Sequence, residues 1–367
     1  MTTVREMSGI RSFGSAHRYY QGPGALQLCG SAVAALGRSA VLVCDQVVHD
    51  LVAPVVRPAC ERTGVTLRWV EVRGDVTRRA VQDLVAQAGK ADVVVAAGGG
   101  KGVDTGKAVS RELGAHLVVI PTAASNDGPC SESFVYYDDR HRMESVEHLP
   151  RNPDVVLVDT VILARAPKAL LVSGIGDALC KLYEGSQARQ ARGRNLFGGL
   201  GTLAAEQLAI ACDRAIRDNA VEGLLAAASG QPTEAFENLV EALVLLSGLA
   251  FENNGLSIAH SMSRGLTRIE AIASQLHGQQ VAYGLMVQWA LEKRDVAFMA
   301  EQLAFYRSVG LATSLTQLGV SEVNAALLDE IATGTMTAPH LKHFERPLEA
   351  QDFVAAMAEV ERLTSTH

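Results

Sequence analysis

The chain has 367 residues, 48% of them hydrophobic and 20% charged, with a formal net charge of −7. That length exceeds what one simple core usually organises, so two domains are expected, and the acidic balance argues against a nucleic-acid partner. No apolar run reaches the roughly 18–20 residues that span a bilayer; the nearest, LVEALVLLSGLAF, is broken by Glu241, so no membrane partner is expected.

The opening MTTVREMSGIRSFG has no apolar core of the kind a signal peptide carries. The six cysteines stand singly, with no CxxC pair, which suggests reduced thiols in a cytoplasmic protein rather than a disulfide framework or a zinc ribbon. Short β-rich runs then follow: AVLVCD (Ala40–Asp45), LRWVEV (Leu67–Val72), ADVVVAAGGG (Ala91–Gly100), HLVVIPT (His116–Thr122) and VVLVDT (Val155–Thr160). Helical spacing fills several of the gaps, as in TRRAVQDLVAQAGK. Continuous apolar strands separated by helices predict a parallel sheet covered on both faces. Asp45 closes the first of these runs. A carboxylate there can accept both hydroxyls of an adenosine ribose and would repel a 2′-phosphate; a helix N-cap is the equally common alternative.

In ADVVVAAGGGKGVDTGKAVS a buried strand runs through a glycine turn into a helix. Gly98, Gly99 and Gly100 offer no side chain, so a ligand can approach the backbone. The free N–H groups of the helix that follows suit a pyrophosphate. The pattern is neither GxGxxG nor a P-loop, and a plain tight turn is the competing account. The next run leads into IPTAASNDGPCSESFVYYD, a loop at a strand's carboxyl end, where open α/β sheets bind ligands. It carries the hydroxyls of Thr122, Ser125, Ser131 and Ser133 and the carboxylate of Asp127, although an Asn-Asp-Gly turn alone would explain its polarity.

Near Val161 the texture changes. Long Ala/Leu-rich helical segments follow: ALLVSGIGDALCKLYEGSQARQ, NLFGGLGTLAAEQLAIACDRAIRD, EAFENLVEALVLLSGLAFENN and DVAFMAEQLAFYRSVG. The expected organisation is an α/β domain over residues 1–161 and an all-α domain over 162–367. Within the second, His260 and His277 stand 17 residues apart in a mostly apolar region. They are either packed or surface histidines, or two ligands of one metal that would need an anionic third partner.

Taken together, GGGKGVDTGKA, PTAASNDGPCSESFVYY, GIGDALCKLYE and AHSMSRGLT…LHGQQVAYG, with YYQGPGAL near Tyr19, resemble the glycerol dehydrogenase branch of the iron-containing alcohol dehydrogenase superfamily. The resemblance implies a Rossmann-like, dehydroquinate synthase-like architecture that binds NAD in its N-terminal domain. It implies a divalent metal held by the helical domain across a cleft, with Asp177, His260 and His277 as ligands. Asp177 would supply the missing anion from a helix's first turn, since it follows Gly-Ile-Gly. Asp45, Gly98, Gly99, Thr122, Ser125, Ser131, Ser133 and Tyr137 would contact NAD, with Gly100, Lys101 and Asp104 of the same glycine motif. Asp127 would lie beside the nicotinamide and the substrate hydroxyl. Two imidazoles and a carboxylate suit Zn²⁺, or Fe²⁺, with positions left for substrate and water. Such a Lewis acid would stabilise the alkoxide from which hydride leaves to nicotinamide. A homo-oligomer acting on a small alcohol or carbonyl substrate is expected.

The chain also departs from the family. Iron-dependent members often carry a histidine four residues after the aspartate; here Lys181 stands there, on the same helix face as Asp177, which points to a three-ligand zinc site. Its ammonium can tune Asp177, face solvent, or bind an anionic substrate group. Ser263 and Arg264 replace the family's His-Asn at the second ligand, which shifts weight from glycerol itself to another small polyol or vicinal diol. The alternatives are a 2-hydroxy acid/2-oxo acid oxidoreductase, a cyclase-type lyase using NAD transiently, and a non-catalytic binder. PTAASNDG is also similar to glycerol-1-phosphate dehydrogenases. His340 and His343 read as loop histidines, and Cys130 and Cys180 as small packing residues.

Overall fold

The computed structural model describes residues 9–138 and 143–365. The chain groups into two compact units, each discontinuous in sequence: Ser15–Pro167 with Leu225–Gly248, and Met1–Gly14 with Lys168–Leu224 and Leu249–His367.

The first unit is α/β. Its strands are β1 (Arg18–Gly22), β2 (Ser39–Cys44), β3 (Thr66–Glu71), β4 (Val93–Gly98), β5 (His116–Pro121), β6 (Ser133–Tyr137), β7 (Met143–His148) and β8 (Val155–Asp159). Six of them form one parallel sheet in the order β1-β8-β5-β4-β2-β3, and β6 pairs β7 antiparallel. The central strands β2, β4, β5 and β8 are Val/Ala-rich and buried almost throughout. They can sit inside a parallel sheet because helices cover both faces.

Helices α1 (Cys29–Ala34) and α2 (Gln46–Arg62) pack on the face carrying Leu42, Val95 and Ile120. Helices α3 (Arg78–Ala88) and α4 (Gly100–Leu113) belong to the other face. There a Cβ added at Gly106 would lie 2.1 Å from the Ala96 Cβ, and one at Gly102 would lie 2.5 Å from the Ala97 carbonyl oxygen. Only glycine lets α4 press this closely on β4. A short α5 (Thr160–Leu163) follows β8.

The connectivity creates a ligand position. From β2 the chain crosses through α2 to β3, while from β4 it crosses through α4 to β5 on the opposite side. The carboxyl ends of β2 and β4 therefore flank the point where the winding reverses, the place where open α/β sheets leave a crevice.

The remaining helices are α6 (Lys168–Gln190), α7 (Leu203–Ser229), α8 (Glu234–Glu241), α9 (Ser247–Asn254), α10 (Ile258–Leu266), α11 (Glu270–Ala273), α12 (His277–Leu291), α13 (Val296–Val309), α14 (Ala325–Thr335) and α15 (Ala350–Ser365). A π-helical turn, Ala242–Leu246, separates α8 from α9 where the sequence predicts one continuous helix. Helix α7 begins at Leu203 rather than near Asn195. The intervening segment holds Gly198 at φ +77°, a left-handed turn that a helix cannot continue through. In the helical unit α6 is buried from Leu171 to Lys181, as befits a central helix. It packs along α12, and α12 along α10. Among the described residues no helix is long and apolar enough to cross a membrane.

Candidate active site

Asp177 lies in the middle of α6, not in its first turn. The correction has a packing cause. Gly174 and Gly176 do not mark a helix start; Gly176 faces α12, where a Cβ would come 2.2 Å from the Gly278 carbonyl oxygen. Gly278 in turn leaves no room for a Cβ, which would lie 1.7 Å from the Ser173 carbonyl oxygen, and its N–H donates to the Ser173 hydroxyl at 3.1 Å. The two glycines let α6 and α12 touch backbone to backbone. Asp177 and His277 are the residues next to them.

His277 is the first residue of α12, and His260 lies in the first turn of α10. All three side chains converge. Asp177 Oδ1 lies 3.3 Å from His260 Nε2 and 4.0 Å from His277 Nε2, and the imidazole centroids are 5.6 Å apart. Ligands bonded tetrahedrally to an ion at about 2.0–2.2 Å lie roughly 3.4 Å from one another; the Asp177–His260 spacing is that of two ligands of one divalent ion, and His277 stands wider, at 4.0 Å. Asp177 is buried, while the His277 side chain is 48% exposed, leaving the set open on that side.

Asp177, Cys180 and His260 also offer ligand atoms within 4.8 Å of one another. Cys180, however, approaches His260 at Nδ1 (3.7 Å), away from Nε2, and its thiol donates to the Asp177 carbonyl oxygen at 2.9 Å. Burial pushes the thiol up to about 12. With its S–H given to a backbone oxygen and its sulfur beside the other ring nitrogen of His260, Cys180 completes the set less well than His277, whose Nε2 faces Asp177. Cys180 and Cys130 are both buried free thiols, in keeping with packing roles.

Lys181 is buried, with 1% of its side chain exposed, and its ammonium lies 3.0 Å from Asp177 Oδ1 and 3.5 Å from His260 Nε2. Of the three positions open to it, solvent is excluded. Burial alone would raise the Asp177 carboxyl, but Lys181 and then the two imidazoles outweigh it and hold the group well below the usual range. Glu184 is also buried. Its Oε2 lies 2.6 Å from His260 Nδ1, and its Oε1 accepts the backbone N–H groups of Ser257 and His260, each at 2.9 Å. His260 and Lys181 outweigh its burial and bring its carboxyl down to about 2. Sequence reasoning missed Glu184. The signal was present: Asp177, Lys181 and Glu184 stand at i, i+4 and i+7, a stripe of ionisable groups along one face of an apolar helix.

His343 is not a free loop histidine. It is buried in a 3₁₀ turn, Leu341–His343, with Nδ1 2.8 Å from the Leu256 carbonyl oxygen. Burial lowers His340 to about 4, and Glu184 and His260 are among the charges that act on it. Ser263, half-buried on α10, has a hydroxyl oxygen shielded from solvent that finds no partner among the described residues.

In the α/β unit, Asp45 and Gly98–Gly100 lie at the carboxyl ends of β2 and β4, the two strands that flank the winding reversal. Asp45 is exposed and caps α2, its Oδ1 accepting from Val48 N–H at 2.9 Å. The cap therefore exists, and it leaves the second carboxylate oxygen to other partners. Gly98 adopts φ +146°; Gly99 caps α4 without a side chain, and a Cβ there would meet open space. The first N–H groups of α4 thus face an open glycine turn, the arrangement that accommodates a phosphate. Lys101 is paired with Asp75 at 2.5 Å. Asp104 accepts from Val135 N–H at 3.2 Å, and burial raises its carboxyl to about 6.

The fully buried Lys107 organises the second loop. Its ammonium donates to the carbonyl oxygens of Gly128 and Ser133 at 2.6 and 2.7 Å and to the Ser131 hydroxyl at 3.1 Å. Ser131 is thereby committed inside the loop. Ser133 and Tyr137 lie on β6, half-buried, and the Ser133 hydroxyl is 3.2 Å from His148 Nδ1. Thr122 follows β5, its N–H donating to the Gly98 carbonyl oxygen at 2.9 Å, and Ser125 is half-buried in the loop. Asp127 is buried, and its Oδ2 accepts from the Ser247 hydroxyl at 3.2 Å, just after the π-helical turn.

The profile of the iron-containing alcohol dehydrogenase family matches residues 20–167. The chain is 36% identical over 315 residues to a glycerol dehydrogenase of Pseudomonas putida, covering 85% of this chain and 86% of that one. It is 34% identical over 335 residues to a glycolaldehyde reductase of Halobacterium salinarum, covering 91% and 92%. The crystal structure of a probable glycerol dehydrogenase from Sinorhizobium meliloti superposes with a TM-score of 0.90 at 33% identity, covering 98% of this chain and all of that one.

Proposed function

The chain belongs to the iron-containing alcohol dehydrogenase family, in its glycerol dehydrogenase-like branch, and from that premise we propose a zinc-dependent, NAD-linked dehydrogenase that interconverts a small polyol or vicinal diol and its ketone. The observation that carries the proposal is the approach of His260 and His277, from two different helices, to within 4.0 Å of the Asp177 carboxylate on a third. A divalent ion held there supplies Lewis acidity to the substrate oxygen, and NAD supplies the hydride acceptor. Asp177, His260 and His277 hold the ion, and the exposed flank of His277 leaves room for the substrate. Gly98–Gly100 and the N-terminus of α4 receive the pyrophosphate, with Lys101, Asp104, Thr122, Ser125, Ser133 and Tyr137 around the cofactor and Ser131 shaping the loop from inside. Asp127, oriented by Ser247, bonds the substrate hydroxyl beside the nicotinamide. Exposed Val47, Leu51 and Val55 form an apolar ridge along α2, which supports a homo-oligomer, and six buried free cysteines support a reducing, cytoplasmic setting. Zinc content together with absorbance at 340 nm over a panel of small alcohols tests the proposal; a metal-free protein inert to every diol would sink it.

Asp45 sets the cofactor preference through like-charge repulsion of a 2′-phosphate. Asp45→Ser keeps a helix cap and should leave stability within about 1 kcal/mol. It should relax NAD over NADP by roughly tenfold or more in kcat/KM, since removing one charge contact is worth about 1.4 kcal/mol or more. A wild type that favours NADP⁺ overturns the assignment.

Lys181 decides between a polyol and a 2-hydroxy acid. Its burial against Asp177 favours a metal-tuning role. Lys181→Ala should then lower kcat/KM by roughly tenfold or more, and equally for 1,2-propanediol and 2-hydroxybutyrate. Selective loss on the hydroxy acid would instead assign the ammonium to a substrate carboxylate.

A further inference from the structure

Glu184 makes contacts that no packing role requires. It is buried on α6, two turns beyond Asp177, and all three of its near partners belong to the start of α10. An ionised carboxylate can only accept hydrogen bonds. Each partner must therefore donate: the N–H of Ser257, the N–H of His260 and the Nδ1 of the His260 ring. Ser257, the N-cap residue of α10, uses its own hydroxyl elsewhere, donating to the His343 carbonyl oxygen at 2.7 Å, and makes no side-chain cap. Glu184 caps α10 from another helix, and the same carboxylate holds the ring of the first-turn histidine.

We infer that Glu184 is the positioning residue of the metal centre. It caps the helix that carries His260 and fixes the imidazole with its proton on Nδ1, so that Nε2, 3.3 Å from Asp177 Oδ1 and 3.5 Å from the Lys181 ammonium, is the atom turned toward the metal. The neighbouring thiol does not compete for this role, because the Cys180 S–H is given to the Asp177 carbonyl oxygen. The inference rests on the metal assignment above and extends it to a residue that touches neither metal nor substrate. Carboxylate partners of ligating histidines act by holding the tautomer and ring orientation, and their loss costs roughly 10–100-fold in metal affinity.

Glu184→Gln separates the two jobs. Glutamine is close in size, and its amide oxygen can still accept both backbone N–H groups. Its NH₂ then faces Nδ1 as a donor, which moves the ring proton to Nε2 and blocks the ligand atom. Flipping the amide repairs Nδ1 but sets the NH₂ against two N–H donors. The dissociation constant for Zn²⁺, measured by chelator competition on the whole protein, should rise roughly 10–100-fold in Glu184→Gln, with the far-UV circular dichroism of the wild type. In ¹⁵N-histidine spectra of the zinc-loaded wild type, the ring signals missing from His260→Ala should report the Nδ1–H tautomer; this readout does not depend on the variant folding. Wild-type zinc affinity in a folded Glu184→Gln, or an Nε2–H tautomer at His260, overturns the inference. Wild-type protein that takes up no zinc overturns the metal assignment itself, and the inference with it.

Discussion

Alanine at Asp177 and alanine at His277 should both reduce turnover more than about 100-fold, because outer partners of a metal ligand alone are worth roughly 10–100-fold. Their effects on stability should differ sharply. His277 is half-exposed, and Oδ1 of Asp177 is 4.0 Å from its Nε2; its removal leaves no buried charge behind and should cost about 1 kcal/mol or less. Asp177 is the buried counter-charge of Lys181, whose side chain is equally buried. Removing it takes the ion-pair partner from a buried ammonium that also lies beside an imidazole, and breaking such a pair costs about 3–5 kcal/mol. Zinc stoichiometry and urea unfolding on the two variants measure both quantities. Retention of full metal by both would refute the ligand set, and wild-type stability in Asp177→Ala would refute the buried pair.

The second large effect is expected at Gly278. In most helices Gly→Ala stabilises by roughly 0.5–1 kcal/mol, because alanine loses less backbone freedom on folding. Here the new Cβ would sit 1.7 Å from a backbone oxygen of α6, and backbone cannot rotate out of the way. Helices α6 and α12 must part, at a cost of about 3 kcal/mol or more. The same movement carries His277 away from Asp177, so zinc affinity should fall with stability. The sign is the test: a Gly278→Ala protein with a raised Tm and unchanged zinc binding would show that the helices do not meet there.

Much of this was legible in the sequence, and the exceptions have physical causes. The inner strands β2, β4, β5 and β8 are unbroken apolar runs because both of their faces are covered, and they read as strands without help. The sequence reads β6 as part of a loop because SFVYY is short, and β7 carries no strand signal of its own, since MESVEH is a largely exposed strand. Asp177, His260 and His277, the proposed ligands, are legible as residue types in family motifs, and their side chains lie near one another, with Asp177 Oδ1 3.3 and 4.0 Å from the two imidazole Nε2 atoms. The sequence places Asp177 in a first turn because glycines signal helix ends by propensity, whereas Gly176 serves interhelical contact. A linear cut at 161/162 had no means of anticipating that residues 225–248 pack with the sheet: α8 contacts β1, and the π-helical turn contacts the Asp127 loop. Such long-range partnering leaves no periodic trace. For Asp45, which the sequence offers equally to a ribose or a helix cap, the geometry shows the cap.

Lys107 gives the α/β unit a property beyond shape. It comes from α4, the helix that begins at the glycine turn, yet its ammonium holds at least three oxygens of the loop that runs on to β6. Hydrogen bonds of this kind are short-range and directional, so they select one loop conformation where apolar contact would tolerate several. The conformational entropy of ordering that loop is therefore lost on folding and not on ligand association. The glycine turn, proposed above to receive a phosphate, and the loop that carries Asp127 are thus pre-organised as a single mould.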